Sequence, residues 1–167
     1  MTAEDDWYSS VPVPVAVLGG GQFRFVAAGY DDDAHPADFF RAVATFLALD
    51  ASALHAATGA VFAYYRDVAE MCAAGGYPCV EITRPGDVWL HVRPGPEPTV
   101  ERAGDRVYVS VECECAWEPE HGLQVVFADG AVVTKVGPYD GHLTNAAAFG
   151  RDDLAGEVYV SHRRLTR

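Results

Sequence analysis

A period of two in apolar positions runs from 107 to 117. Val107, Val109, Val111, Cys113, Cys115 and Trp117 take one face, and Tyr108, Ser110, Glu112 and Glu114 take the other. That period of two predicts a long strand. Just after it, QVVFA and AVVTK flank Asp129-Gly130, a pair suited to a type I′ turn because both central residues need positive φ. A two-residue loop sets Phe127 against Val132, Val125 against Thr134 and Leu123 against Val136, an apolar face that belongs to the core. Strands at 107–117, 123–128 and 131–137 therefore make an up-down-up meander at about 107–137.

Nearer the start, Val11, Val13, Val15 and Val17 alternate with residues that include Pro12 and Pro14, neither of which can donate to a ladder. This reads as an edge strand, reversed at Gly19–Gly21 and paired with Gln22–Ala27, an opening hairpin at about 11–27. Phe39, Phe40, Val43, Phe46 and Leu47 recur at helical spacing after Pro36, with Asp31, Asp32 and Asp33 near the positive end of the helix dipole. Asp50 or Ser52 is placed to cap a second helix, whose stripe of Leu54, Val61, Phe62, Tyr65, Val68, Ala69 and Cys72 ends at Gly75 and Gly76. A tight turn between the two helices predicts an antiparallel pair at about 36–74. Val80–Thr83 and Val88–Val92 read as strands, with a short helix from Pro85 as the alternative for the latter. Pro94, Gly95, Pro96 and Pro98 mark an irregular connection, and Glu157–Ser161 offers a last strand. Strands, two helices, then strands is the order of an α+β fold: a mainly antiparallel sheet with the helix pair packed on one face.

Length fits a single domain spanning 1–167. The opening MTAEDDWYSS carries acids where an export leader needs positive charge, and no stretch reaches the roughly 18 uninterrupted apolar residues of a membrane span. A cytoplasmic protein with no membrane role is the expectation, and its four cysteines then read as reduced thiols. Twenty-four acids against 12 bases give a net charge of −12, with Lys135 the one lysine. Such a surface repels phosphate backbones, so no nucleic acid is expected as partner, while cations and basic proteins are attracted. Acidity also serves solubility alone.

The meander places EPEHG (118–122) and GPYDGH (137–142) on one rim, its outer strands about 10 Å apart. Glu118, Glu120, His121, Asp140 and His142 share that rim, with Glu114 slightly lower. Carboxylates with imidazoles suit zinc, manganese or calcium, and Glu120, His121, Asp140 and His142 are the candidate ligands. Their spacing follows no standard ligand template, and Pro119, Gly122, Pro138 and Gly141 read equally well as ordinary turn residues. Cys72, Cys79, Cys113 and Cys115 lack the paired C-x₂₋₄-C spacing of structural zinc and read as small buried hydrophobes. No nucleophile elbow is present, and Gly19–Gly21 lacks the lysine of a phosphate loop.

The stretch VECECAWEPEHGLQVVFADGAVVTKVGPYDGHLTNAAAF, with PADFFRAVATFLALDASALHAATGAVFAYYRDV before it, resembles a widespread bacterial family known only as a domain of unknown function, over roughly residues 36–160. Its signature is close to C-x-C-x-W-E-P-E-H-G-L-Q-x-V-F-x-D-G-x-x-x-K-V-G-P-Y-D-G-H-L-T-N. Here Trp117, Glu118, Glu120, His121, Gly122, Asp129, Gly130, Lys135, Tyr139, Asp140, Gly141, His142 and Asn145 match it. Ala146–Ala148 depart from it where polar residues would follow Asn145. The resemblance implies a domain type without an established reaction.

Three functions fit these features. The first is a non-catalytic binding protein, immunity-like or regulatory, whose acidic rim meets a basic protein partner through Trp117, Glu118, Glu120, His121, Tyr139, Asp140, His142 and Asn145. The second is a metal-binding protein using the four candidate ligands. The third is a metal-assisted hydrolase with a rim glutamate as general base.

Overall fold

The computed structural model describes residues 2–4 and 7–165. Among the described residues ten strands and five α-helices follow one another: β1 (Thr2–Glu4), β2 (Trp7–Ser9), β3 (Val13–Pro14), β4 (Gln22–Phe23), β5 (Val26–Ala28), α1 (Ala37–Leu47), α2 (Ala51–His55), α3 (Thr58–Gly75), β6 (Val92–Pro94), β7 (Thr99–Ala103), β8 (Arg106–Cys115), β9 (Leu123–Ala128), β10 (Val132–Gly137), α4 (Asn145–Phe149) and α5 (His162–Leu165). The main sheet has the order β1-β2-β5-β7-β8-β9-β10, with β6 also on β8, and β3 with β4 forms a separate two-stranded ladder. All its pairings are antiparallel except β5 with β7. A parallel pair needs a long crossover, and α1 to α3 lie within it. The fold is α+β. Among the described residues no helix is long and apolar enough to cross a membrane.

The core lies between helices and sheet. Phe46 of α1 meets Phe25 and Phe127 edge-on at ring-centroid distances of 5.9 and 5.0 Å, and α3 sends Tyr64 and Tyr65 against Trp117. Each long helix makes its main contacts outside the other, α1 with β8 and β7, α3 with β10 and a 3-10 turn at 85–91. The meander forms as read, and Val107, Val109, Val111, Cys113 and Cys115 line the helix-facing core. The opposite face of β9 is buried as well: Val126 and Ala128 join Tyr108 and Leu143 in a second cluster. Sequence alternation had marked only one core face.

Several local expectations change. At 11–27 the ladder is limited to Val13↔Phe23 and Pro14↔Gln22, because Pro12 and Pro14 bring no donors, and Ala16–Leu18 wind into a 3-10 turn. Asp50 is the helix cap, accepting the Ser52 N–H at 2.8 Å, but the helix breaks at 56–57 into α2 and α3. Residues 80–83 pair with no strand among the described residues; the Tyr65 hydroxyl donates to the Val80 carbonyl, accepts the Ile82 N–H and ties the segment to α3. Val88–Val92 is a strand only at its end, since the Pro85–His91 turn, with Val88 fully buried, occupies the rest. Glu157–Ser161 runs beside β10 through one bond, Val136 N–H to the Val158 carbonyl, without forming a ladder.

Asp129 (φ +51) and Gly130 (φ +68) make the turn foreseen for β9 and β10. The register differs, because three residues lie between the strands and a bulge falls at Thr134: Phe127 faces Val133 and Val125 faces Val136. Gly130 is also a close-approach position. A Cβ there would sit 1.9 Å from the Ala42 carbonyl oxygen, so the hairpin tip rests directly on α1.

Candidate functional site

β6 and β7 are two pieces of one interrupted strand on β8. Val92–Pro94 pairs with Cys115–Cys113, Thr99–Ala103 pairs with Ser110–Arg106, and between them the chain leaves the ladder at Gly95–Pro98, held by the Gly95 N–H donating to the Glu112 carbonyl at 2.8 Å. Three prolines in Pro94–Pro98 explain the break, since none can donate. It turns Glu97 outward beside Glu112 and Glu114, the exposed side of β8, whose alternate residues Val111, Cys113 and Cys115 are buried.

The EPEHG turn closes the other side. Glu118 folds its carboxylate back to accept the N–H groups of Glu120 (3.1 Å) and His121 (3.3 Å), and its carbonyl accepts the Gly122 N–H at 2.9 Å. Gly122 takes φ +63, and a Cβ there would lie 2.4 Å from the Cys113 carbonyl oxygen, so glycine is required for the turn to settle on β8. Tyr64 donates to the Gly122 carbonyl at 3.0 Å, fixing the turn to α3. Between break and turn lies a cavity of about 500 Å³ whose lining includes Glu97, Glu112, Glu114, Glu120 and His121.

The two rim loops do adjoin: the Tyr139 N–H donates to the His121 carbonyl at 3.2 Å. Their side chains have different surroundings. Glu118, Glu120 and His121 have ligand atoms within 4.8 Å of one another, while Asp140 and His142 stand outside that group. Asp140 is bound to the Lys135 ammonium and accepts the His142 N–H at 2.8 Å. Lys135, its side chain 2 % exposed, also donates to Gln124 Oε1 (2.7 Å) and to the His142 carbonyl (2.9 Å), and Gln124 donates to Ser110 Oγ. Burial draws the Lys135 ammonium below its ordinary range while the Asp140 carboxylate opposes that shift.

The other candidates divide between core and surface. Trp117 is buried against Tyr64 and Tyr65. Asn145 is buried too and donates to the carbonyls of Glu157 (2.7 Å) and Val158 (3.1 Å), which holds the terminal segment over β10. Tyr139 is exposed. Near the C-terminus Arg163 pairs with Glu70 on α3 and Arg164 with Glu157, away from the rim. Sequence reading had passed over Glu97 and had not placed Glu112 in the site; the signal for both was the proline-rich interruption opposite a strand with outward glutamates.

Helices on one face of a mostly antiparallel sheet, with an acidic groove on the sheet where one strand is interrupted, define a small α+β protein with a surface cleft. The chain belongs to the family DUF6985, described as a domain of unknown function, which matches residues 1–143. The match begins well before residue 36 and stops short of 160, so it takes in both sides of the groove and leaves out the segment that covers β10. No curated protein and no solved structure matches the chain.

Proposed function

We propose that the chain is a non-catalytic binding protein that accepts a cationic group, the Lys or Arg side chain of a basic protein partner, in the groove between the Gly95–Pro98 break and the EPEHG turn. One observation carries this reading. Glu97, Glu112, Glu114 and Glu120 share the groove with His121, and Arg93, 3.9 Å from Glu114, is the one cation that forms an ion pair with any of these glutamates among the described residues. The net charge of −12 steers a basic partner toward such a surface and raises its association rate. Binding also suits the nearest thiol better than catalysis, because burial pushes Cys113 up to about 12 and disfavours the thiolate that attack requires. An immunity-like or regulatory role is the setting in which an acidic docking groove of this kind serves.

The test is a titration of the isotope-labelled chain with an oligo-arginine peptide, followed by amide shifts. Changes should concentrate at 95–97, 112–114 and 118–122, weaken with salt, and lose roughly threefold to tenfold in affinity in the Glu112→Gln/Glu120→Gln double variant. Shifts scattered over the whole surface, or an unchanged double variant, would defeat the proposal.

A divalent cation is the second reading, favoured by the 4.8 Å grouping of Glu118, Glu120 and His121. Histidine among the donors points to zinc or manganese ahead of calcium. Zinc added to the chain should then move the His121 ring signals, His121→Ala should abolish uptake, and His142→Ala should leave it intact. Failure to take up a stoichiometric ion removes this reading and leaves the first untouched.

A further inference from the structure

α3 ends at Gly75, and the chain doubles back at once: Gly76 takes φ +71, and the Tyr77 N–H donates to the Cys72 carbonyl at 2.8 Å. The returning segment is fixed again further along by Tyr65 of α3, whose hydroxyl donates to the Val80 carbonyl at 3.0 Å and accepts the Ile82 N–H at 2.9 Å. Cys79 lies between these two attachment points. It and Cys72 are both half-buried thiols, and both wall one cavity of about 710 Å³, whose other side includes Trp117, Glu118 and Glu120. Burial, and then the neighbouring Cys72 thiol, push the Cys79 thiol above its ordinary range. The remaining cysteines, Cys113 and Cys115, are buried in β8 and do not line this cavity.

We propose that Cys72 and Cys79 form a reversible intramolecular disulfide, a redox site separate from the acidic groove, when the chain meets a two-electron oxidant such as hydrogen peroxide. A disulfide requires two backbones held close, and the Tyr77 bond to Cys72 together with the Tyr65 bonds to Val80 and Ile82 keeps the segment that carries Cys79 beside the end of α3. One thiol is oxidised by peroxide to a sulfenic acid with release of one water. The second thiolate then attacks that sulfur, the S–O bond breaks, and the hydroxide leaves as a second water once it takes up the proton. The two sulfurs together lose two electrons and the peroxide gains them. A raised thiol reacts slowly at neutral pH, so the bond forms faster as pH rises. Once formed, it staples residues 77–79 to the end of α3 and fixes one wall of the cavity behind the EPEHG turn.

Peptide mapping of the full chain tests this directly, since Arg84 and Arg93 both precede proline and resist trypsin. Cleavage after Arg66 and Arg102 therefore releases one peptide, 67–102, that holds Cys72 and Cys79 without Cys113 or Cys115. After mild peroxide treatment and alkylation in denaturant, this peptide should be two hydrogens lighter and unalkylated, and the thiol count should fall from four to two. Dithiothreitol should restore both sites, Cys72→Ser should prevent the mass loss, and Cys113→Ser should not. Double alkylation of 67–102 after oxidation, a sulfinic acid there, or a link to Cys113, Cys115 or another chain would each overturn the proposal.

Discussion

Lys135→Met removes the ammonium at the centre of the buried polar network and keeps a stem of similar volume, so the loss comes from the groups left behind. Gln124 Oε1, on a residue 1 % exposed, loses its donor, and an unsatisfied buried acceptor costs about 1–3 kcal/mol. The His142 carbonyl loses a bond of 2.9 Å, worth about 1 kcal/mol. Asp140 loses its counter-charge, but its side chain is 31 % exposed and keeps the His142 N–H, so water replaces most of that partner. Against these stands the relief of no longer holding a desolvated ammonium. The net expectation is a loss of about 2–4 kcal/mol, which for a chain of this size lowers Tm by roughly 5–15 °C. Urea unfolding followed by circular dichroism should show the midpoint falling with an unchanged slope. Gln124→Met placed on the same background should recover about 1 kcal/mol relative to additivity, because it removes the orphaned acceptor. A loss under about 0.5 kcal/mol, or strict additivity of the two changes, would show that Lys135 is not the centre of a buried network.

Gly130→Ala forces alanine into φ +68 and its Cβ into the Ala42 carbonyl, so the hairpin must lift from α1; a loss of roughly 3 kcal/mol or more is expected by thermal unfolding, whereas the same change at Gly141, with open space around its Cβ site, costs about 1–2 kcal/mol. Asn145→Ala should speed hydrogen exchange at the Val136 amide, whose acceptor is the Val158 carbonyl that Asn145 holds in place, while the Val109 amide in the middle of the sheet keeps its protection. Alkaline stability has a definite sign: burial raises Cys113 from 9.0 to about 12 and Cys115 from 9.0 to about 11, so the unfolded state releases these protons first and stability falls as pH climbs from about 9 through 11–12. Buried Tyr64 and half-buried Tyr159 are raised and act in the same direction, and Lys135, whose ammonium is lowered, acts against them. Cys113→Ala should therefore flatten the decline of the urea midpoint between pH 9 and 11, and an equally steep decline would refute the assignment.

What could be read from the residues was whatever one local rule decides. The 107–115 alternation, the Asp129-Gly130 turn and the Asp50 cap each depend on a few adjacent side chains, and each formed. The failures were places where a distant partner intervened. Val80–Thr83 has strand composition, but the Tyr65 hydroxyl claims the backbone groups a ladder would need. The register beyond Asp129-Gly130 moved because Ala131 joins the turn and a bulge falls at Thr134, neither of which shows in a string of β-formers. Burial of both faces of β9 depends on Leu143 and the segment after it, which carry no periodic signal of their own. At the rim, topology correctly brought EPEHG next to GPYDGH, yet it could not tell which carboxylates were already engaged, since that depends on the length and direction of one lysine side chain.

That lysine divides the rim into two unlike halves. Lys135 lies on the face of β10 turned away from the helices, reaches Asp140 and the His142 carbonyl, and so makes GPYDGH a locked loop whose acid is neutralised internally. Among the described residues EPEHG forms no ion pair with a Lys or Arg side chain; it is held by the Glu118 carboxylate, which accepts two backbone N–H groups and sits 3.6 Å from the His121 ring, and by the Tyr64 hydroxyl, which donates to the Gly122 carbonyl. The Tyr139 N–H bond to the His121 carbonyl then lets the locked loop support the open one. A site that binds charge needs such support, because carboxylates held close together repel one another and must be fixed by their backbone rather than by a counter-ion. On this argument Asp140→Asn should weaken cation binding at the groove through the position of His121, with the glutamates unchanged, and should do so less than Glu120→Gln. If the two variants weakened oligo-arginine binding equally, Asp140 would be a direct contact and the division of the rim would be wrong.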